Sequence, residues 1–231
     1  MLTEPVLDEF GLGLDSALLE AITAAIAHRL ASPTPSSPDA EAIMLRTLLD
    51  RAPDYRQKTV LKAVFGRMAA LQGPDLLACG PEASVLAADR FGTLRPVENP
   101  DTALTDVSRG ARATIDIVSS RPWWGRLLAR PDIRVIGALR DDRNSLPRAL
   151  TVSTETSGPT GDDRSFWVTD STLGDARLGQ ILADIGLAGH PLVSKGGLKL
   201  FMLAGYVQSD DGRLIEAPGS LKGVIGAAPV F

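Results

Sequence analysis

One cysteine, Cys79, stands alone in 231 residues. That excludes an internal disulfide framework and points to a reducing, cytoplasmic setting. Histidine is almost as scarce. His28 and His190, even with the single thiol, supply too few donors for a structural zinc site. Basic excess is also missing. A formal net charge of −4 leaves no electrostatic footprint for nucleic acid. No apolar run approaches the roughly 18 residues of a membrane span. Met1-Leu2-Thr3-Glu4-Pro5 has neither the basic nor the apolar region of a signal peptide.

What remains is ordinary globular composition, 44% hydrophobic and 23% charged, in a length that suits one large domain or two to three small ones. The first 72 residues read as three helices. Leu14, Leu18, Ile22, Ala25 and Ile26 form one apolar stripe over Asp15–Ala31, with His28 off the stripe and solvated. The Ser/Pro-rich run from Ser32 to Pro38 breaks that helix. Ser37 is expected to N-cap the second helix, with Pro38 at its first position and Asp39 and Glu41 complementing its positive end. Pro53 opens the third, whose stripe is Val60, Leu61, Val64, Phe65, Met68 and Leu71. Helices this short carry too little apolar surface for a core of their own. A second copy of the chain is the expected cover.

Gly73-Pro74 is a hinge, and the pattern after it changes. Strand-like runs at Asp75–Cys79, Leu94–Val97, Thr114–Ser119, Ile133–Leu139 and Ala149–Thr154 alternate with short helical stretches. Ser157–Asp163 reads as a polar connector. A strand at Arg164–Thr169, a helix near Ala176–Ile185, a hairpin across Lys195-Gly196-Gly197 and a last strand near Val224–Ala228 give a βαββ(α)β order, the ferredoxin-like arrangement. Two features stay open. Trp123-Trp124, beside Arg121 and Arg126, can cap a core or line a pocket. Arg164, after Asp162-Asp163, can hold an acidic ligand or serve a structural pair.

A helical unit ending on Leu71-Gln72-Gly73-Pro74 and feeding an α/β region resembles the all-helical class of chorismate mutases, in the variant with a prephenate-dehydratase-like and ACT-like C-terminal half. The resemblance implies a multi-domain α plus α/β protein. Its parts would be a helical domain over 1–72, a single α/β lobe over 73–156 opening on Gly80-Pro81-Glu82, and an ACT-like domain over 157–231. The family's chemistry needs arginines that clamp two carboxylates, and a Glu and a Gln at the ether. Carried over, Glu41 and Gln72 match the Glu and the Gln, while Asp8, Ala25 and Ala40 stand where cations belong. Lys58 and Arg29, near Arg46 and Lys62, are the candidates for a relocated clamp, and Arg164 for a further ligand contact. The dehydratase's catalytic Thr-Arg-Phe has no counterpart, since Asp163 precedes Arg164 where the threonine belongs.

Three readings follow from the resemblance. The first is a chorismate-mutase-family protein with a lost clamp, serving as a binding or regulatory protein linked to aromatic amino-acid metabolism. The second is an active mutase making prephenate through a relocated cationic site. The third is a structural partner of another shikimate-pathway enzyme. Expected partners are a second copy through the helical domain and a small carboxylate. No cofactor, metal, nucleic acid or membrane is expected.

Overall fold

Nine strands join in one mixed sheet in the computed structural model, whose described residues are 16–31, 36–52 and 54–231. They are β1 (Leu76–Cys79), β2 (Arg95–Pro96), β3 (Arg112–Asp116), β4 (Arg134–Leu139), β5 (Ala149–Ser153), β6 (Asp163–Thr169), β7 (Gly189–Lys195), β8 (Leu198–Ala204) and β9 (Lys222–Pro229). Their spatial order is β2-β1-β3-β5-β4-β9-β6-β8-β7. β1 runs parallel to β2 and β3, and β5 antiparallel to β3 and β4. β9 lies between β4, to which it is parallel, and β6, to which it is antiparallel. The helices are α1 (Ser16–Ala31), α2 (Pro38–Leu49), α3 (Tyr55–Gln72), α4 (Pro81–Phe91), α5 (Pro100–Val107) and α6 (Asp175–Asp184).

The elements form for local reasons. β1 and β3 are buried along their whole length, β1 as the apolar run Leu76–Cys79 and β3 with Arg112, Thr114 and Asp116 buried beside Ala113 and Ile115. β6 alternates its large residues across the sheet. Phe166 and Val168 join one core with Ile115, Trp123 and Leu150, while Trp167 joins another with Leu178 and Leu182 of α6. Gly196 and Gly197, both at positive φ, make the tight β7–β8 turn that a two-residue hairpin requires. α3 is N-capped by Asp54, whose carboxylate accepts from the Gln57 amide at 2.8 Å. Ser37 precedes α2 in extended conformation, but its side chain makes no capping bond, contrary to expectation. Trp123 and Trp124 are buried core residues, and the Trp123 indole donates to the Asp116 carbonyl at 2.7 Å.

The expected division into a helical domain, a lobe and a ferredoxin-like unit is corrected by this sheet. The strands assigned to the last unit are one end of it, because β9 pairs with β4 as well as β6. A 3-10 turn at Gly212–Ile215 stands where a ferredoxin-like unit needs its second helix. Nor do the first helices form a mutase-like bundle. The apolar cluster of Leu45, Leu48, Leu49, Leu61 and Phe65 is completed by Phe231, from beyond the last strand. α3 instead crosses α4 at Gly66, where a Cβ would lie 2.1 Å from the Arg90 carbonyl oxygen. The Ser157–Asp163 segment is a docking point for α2. Arg46 donates to the carbonyls of Thr160, Asp162 and Val230, the last two at 2.9 and 3.0 Å.

The Gly66 crossing sets a testable conflict. Alanine is the better helix former by about 1 kcal/mol, so propensity alone predicts that Gly66→Ala stabilises. The approach to Arg90 predicts the reverse, a loss of roughly 1–3 kcal/mol as the helices are forced apart. Urea denaturation is expected to show the loss. An unchanged or raised stability would mean that α3 does not pack on α4 at this residue.

Candidate functional site

The helical layer, α4 and the sheet enclose a cavity of about 100 Å³. β4 supplies its floor with Ile136, Gly137 and Ala138, β9 adds Pro229, and α2 and α3 contribute Leu45 and Phe65. Three guanidinium groups and two carboxylates also face it: Arg29, Arg90 and Arg112 with Glu41 and Asp141.

Each of these charges arrives on a different element. Arg29, near the end of α1, is 3% exposed and pairs with Glu41 from the first turn of α2. Its guanidinium lies 5.8 Å from the Phe65 ring centre, and its backbone carbonyl accepts from the Gln72 amide at 2.9 Å. Arg112 opens β3 and is held in a fork by Glu155, at 3.0 Å through Nε and 2.7 Å through Nη2. Arg90, in the last turn of α4, reaches Asp141 only loosely, at 3.5 Å. Asp141 is shared with Lys62, whose ammonium donates to Asp141 at 2.8 Å and to Asp142 at 2.9 Å. The Phe231 ring lies under three cations, with Arg46, Lys62 and Arg90 at 5.8, 5.7 and 5.5 Å from its centre.

Two residues that line the cavity carry a donor without a partner. Among the described residues Arg29 Nε and Arg90 Nη1 are buried and find no hydrogen-bond acceptor. Burial pushes the Arg90 pKa down against the pull of Asp141 and Asp142, yet a guanidinium does not give up its proton in a protein. Burial also pushes the Glu41 carboxyl above its ordinary value, opposed by Arg29 and Arg112. The cavity is therefore lined by three guanidiniums against two carboxylates.

Of the residues named from sequence, Glu41 and Arg29 line the cavity, and Gln72, outside its lining, donates to the Arg29 backbone carbonyl. Lys58 is exposed on α3 and lines a neighbouring groove rather than the cavity. Arg164 lies elsewhere. Its guanidinium is spent on the carbonyls of Ser145, Asp142 and Arg143 at 2.7, 2.7 and 2.5 Å, a structural clasp with no carboxylate partner. The positions Asp8, Leu14 and Asp15 lie outside the described residues, as does the side chain of Ala25. Arg90, Arg112, Asp141 and Phe231 were not singled out from sequence. Arg90 sits where a basic residue ordinarily complements a helix dipole, and nothing local marks it as buried.

No family model matches the chain, and no curated protein matches it. Among solved structures it is similar to one described as "GqqA- a novel type of quorum quenching acylases". The identity is 13% over 68% of this chain and 95% of that chain, with a TM-score of 0.45. Likeness at that level transfers neither fold nor chemistry. The chorismate mutase reading is nonetheless overturned, and with it the lost-clamp, active-mutase and shikimate-partner alternatives. The helices roof a nine-stranded sheet instead of building a mutase bundle. Among the described residues no helix is long and apolar enough to cross a membrane.

The raised Glu41 pKa fixes a pH dependence. A carboxyl whose folded pKa lies above its unfolded one holds its proton longer in the folded state. Stability therefore declines as pH rises from the ordinary value of 4.5 through the raised one. Glu41→Gln removes that titration. The slope of unfolding free energy against pH over this interval is expected to flatten in the variant, by urea melts at stepped pH. An identical slope would show that Glu41 does not titrate from a buried position.

Proposed function

We propose that this protein binds a small organic anion, its acid group held in the cavity among Arg29, Arg90 and Arg112. The observation that carries this reading is the pair of buried N–H groups, unpartnered among the described residues, on Arg29 and Arg90, two residues that line one cavity. An unsatisfied buried donor costs about 1–3 kcal/mol, and more when charged. A carboxylate entering the cavity recovers that cost with charge-assisted hydrogen bonds that a guanidinium is shaped to give. The remaining wall is apolar, with Leu45, Phe65, Ile136 and Pro229, so the acid carries an apolar body. Among the described residues the lining offers Thr151 as its one hydroxyl and no serine, cysteine, histidine or lysine. Thr151 is already engaged with Thr114 at 3.0 Å, which supports binding over covalent chemistry.

Calorimetric titration with acetate, butyrate and benzoate tests this. Binding is expected, with an affinity loss of roughly tenfold or more in Arg90→Met, the cost of about 1.4 kcal/mol or more for one lost charged contact. Absence of binding by all three acids, or an Arg90→Met variant with wild-type affinity, would refute the proposal.

The pairing of two copies expected from sequence is part of the same reading. Val60 and Leu71 are 61% and 84% exposed and lie about three turns apart on one stripe of α3. That uncovered stripe supports self-association through the helical layer. Sedimentation at micromolar concentration is expected to give a dimer, and Leu71→Glu to shift it to monomer. A wild-type monomer would remove the proposal.

A further inference from the structure

The cavity alone is small for an organic ligand. At about 100 Å³ it falls below the roughly 300–1,000 Å³ of ordinary ligand pockets. Beside it lies an outer groove of about 720 Å³, walled by α2, α3, α4 and the segment after β4. The two share Arg90, Leu139, Asp141 and Phe231. A ligand with its head in the cavity has this groove for the remainder.

The groove wall is cationic. Arg46, Lys58, Lys62, Arg90, Arg140 and Arg143 line it against Asp50, Asp89, Asp141 and Asp142, six cations to four carboxylates. Asp141 and Asp142 are taken up by Lys62, and Arg90 reaches Asp141 only at 3.5 Å. Arg143 pairs with Asp162, outside the wall. Asp50 and Asp89 are exposed. Arg46 is held differently. Its terminal nitrogens donate to the carbonyls of Thr160, Asp162 and Val230 and to the Thr160 hydroxyl. Those neutral acceptors satisfy N–H groups but leave the guanidinium charge without a counter-ion among the described residues. Its Nε is buried and finds no acceptor among them, as is true of Arg90 Nη1. Lys58 stands one turn before Lys62 on the same face of α3, a like-charge spacing that disfavours the helix unless an anion intervenes. Lys58 and Arg140 are exposed and belong to none of the ion pairs among the described residues.

Resting on the anion-binding reading above, we infer that the ligand carries a second anionic group, a phosphate, held in the outer groove among Arg46, Lys58 and Arg140. Its carboxylate enters the cavity, and a short apolar spacer passes Phe231 between the two. Charge and shape both favour phosphate over a second carboxylate. A phosphate monoester carries about −1.5 to −2 at pH 7, close to the wall's excess of two cations, six less four. Its three acceptor oxygens accept from several directions, and the three cations arrive from α2, α3 and the segment after β4. A carboxylate offers two oxygens in one plane.

The test is calorimetric titration of the full chain with two sets of acids, each set sharing one spacer: pentanoate, glutarate and 4-phosphonobutyrate, then heptanoate, pimelate and 6-phosphonohexanoate. The phosphonate stands in for the phosphate. Each is repeated on the double variant Lys58→Gln, Arg140→Gln, whose exposed positions spare the core, and thermal melting confirms that it is folded. In at least one set the phosphono acid is expected to bind roughly tenfold or more tighter than its monocarboxylate, with the dicarboxylate between them. In the double variant that ratio is expected to fall toward one. If monocarboxylates bind and a phosphonate adds nothing in either set, the second anionic group is refuted and the anion site stands. The inference also falls if the gain survives in the double variant, or if the dicarboxylates match the phosphono acids. Binding of phosphono acids with none of the monocarboxylates would overturn both readings, since the cavity would then hold no acid head. If no acid binds, the anion site is refuted and this inference falls with it.

Discussion

The sheet is continuous because Gly226 has no side chain. β4 and β9 meet at the single registered pair Val135–Gly226. A Cβ on Gly226 would lie 2.3 Å from the Val135 carbonyl oxygen and 2.4 Å from its nitrogen, and its φ of +138° is one that side chains rarely adopt. Opposite it, the pairing of β9 with β6 shifts register between Phe166 and Trp167, leaving Ile225 as an extra, fully buried residue. Arg134 adds a side-chain bond across the seam, to the Val224 carbonyl at 2.8 Å. The seam also places the site. β4 and β9, which it joins, carry Ile136, Gly137, Ala138 and Pro229 of the cavity floor. A chain folded as separate lobe and ferredoxin-like unit would have had no such floor.

The roof is held by different physics. α2 and α3 share a modest apolar cluster with Phe65 and Phe231, and the rest of their attachment is charged. Arg46 reaches the carbonyls around Thr160 and Val230, Lys62 bridges to Asp141 and Asp142, and Arg29 ties α1 to Glu41. Buried ion pairs of this kind add little net stability, since desolvation offsets most of the attraction, but removing one partner is costly. They set geometry more than they add free energy. The geometry they set keeps three guanidiniums in one wall, where mutual repulsion would otherwise disperse them.

Much of the local structure could be read from sequence, because it follows from short-range rules. The apolar stripe of α3, the proline that opens α2, the glycine pair of the β7–β8 turn and the strand at Leu76–Cys79 are each decided within a few residues. The assembly could not be read. The β4–β9 pair joins residues about ninety positions apart, and nothing near Gly226 distinguishes it from a glycine in a loop. The error followed directly: a strand order that fits a ferredoxin-like unit was given the boundaries of one. The site was partly visible. Glu41, Arg29 and Gln72 were named and do meet, but through an ion pair and a backbone carbonyl that the family resemblance did not specify. Arg90 and Arg112 were invisible, since their burial depends on α3 crossing α4 and on the sheet edge beneath.

The unpartnered groups bear on how the roof behaves. Among the described residues Arg90 and Arg29 each leave a buried N–H without an acceptor, a cost of about 1–3 kcal/mol apiece against a total stability of roughly 5–15 kcal/mol. That cost falls on the interface between the helical layer and the sheet, where apolar burial is thinnest and polar contacts do most of the joining. Local opening is cheapest where apolar contacts are few, so the helical layer is the part of the molecule that parts most readily from the rest. An acid that satisfies both guanidiniums binds the closed arrangement better than the open one and so shifts the balance toward closure. On the proposed reading, the imperfect hydrogen bonding of Arg29 and Arg90 and the uptake of an anion are one property. Filling those positions with apolar side chains would tighten the roof and abolish the reason for having a cavity beneath it.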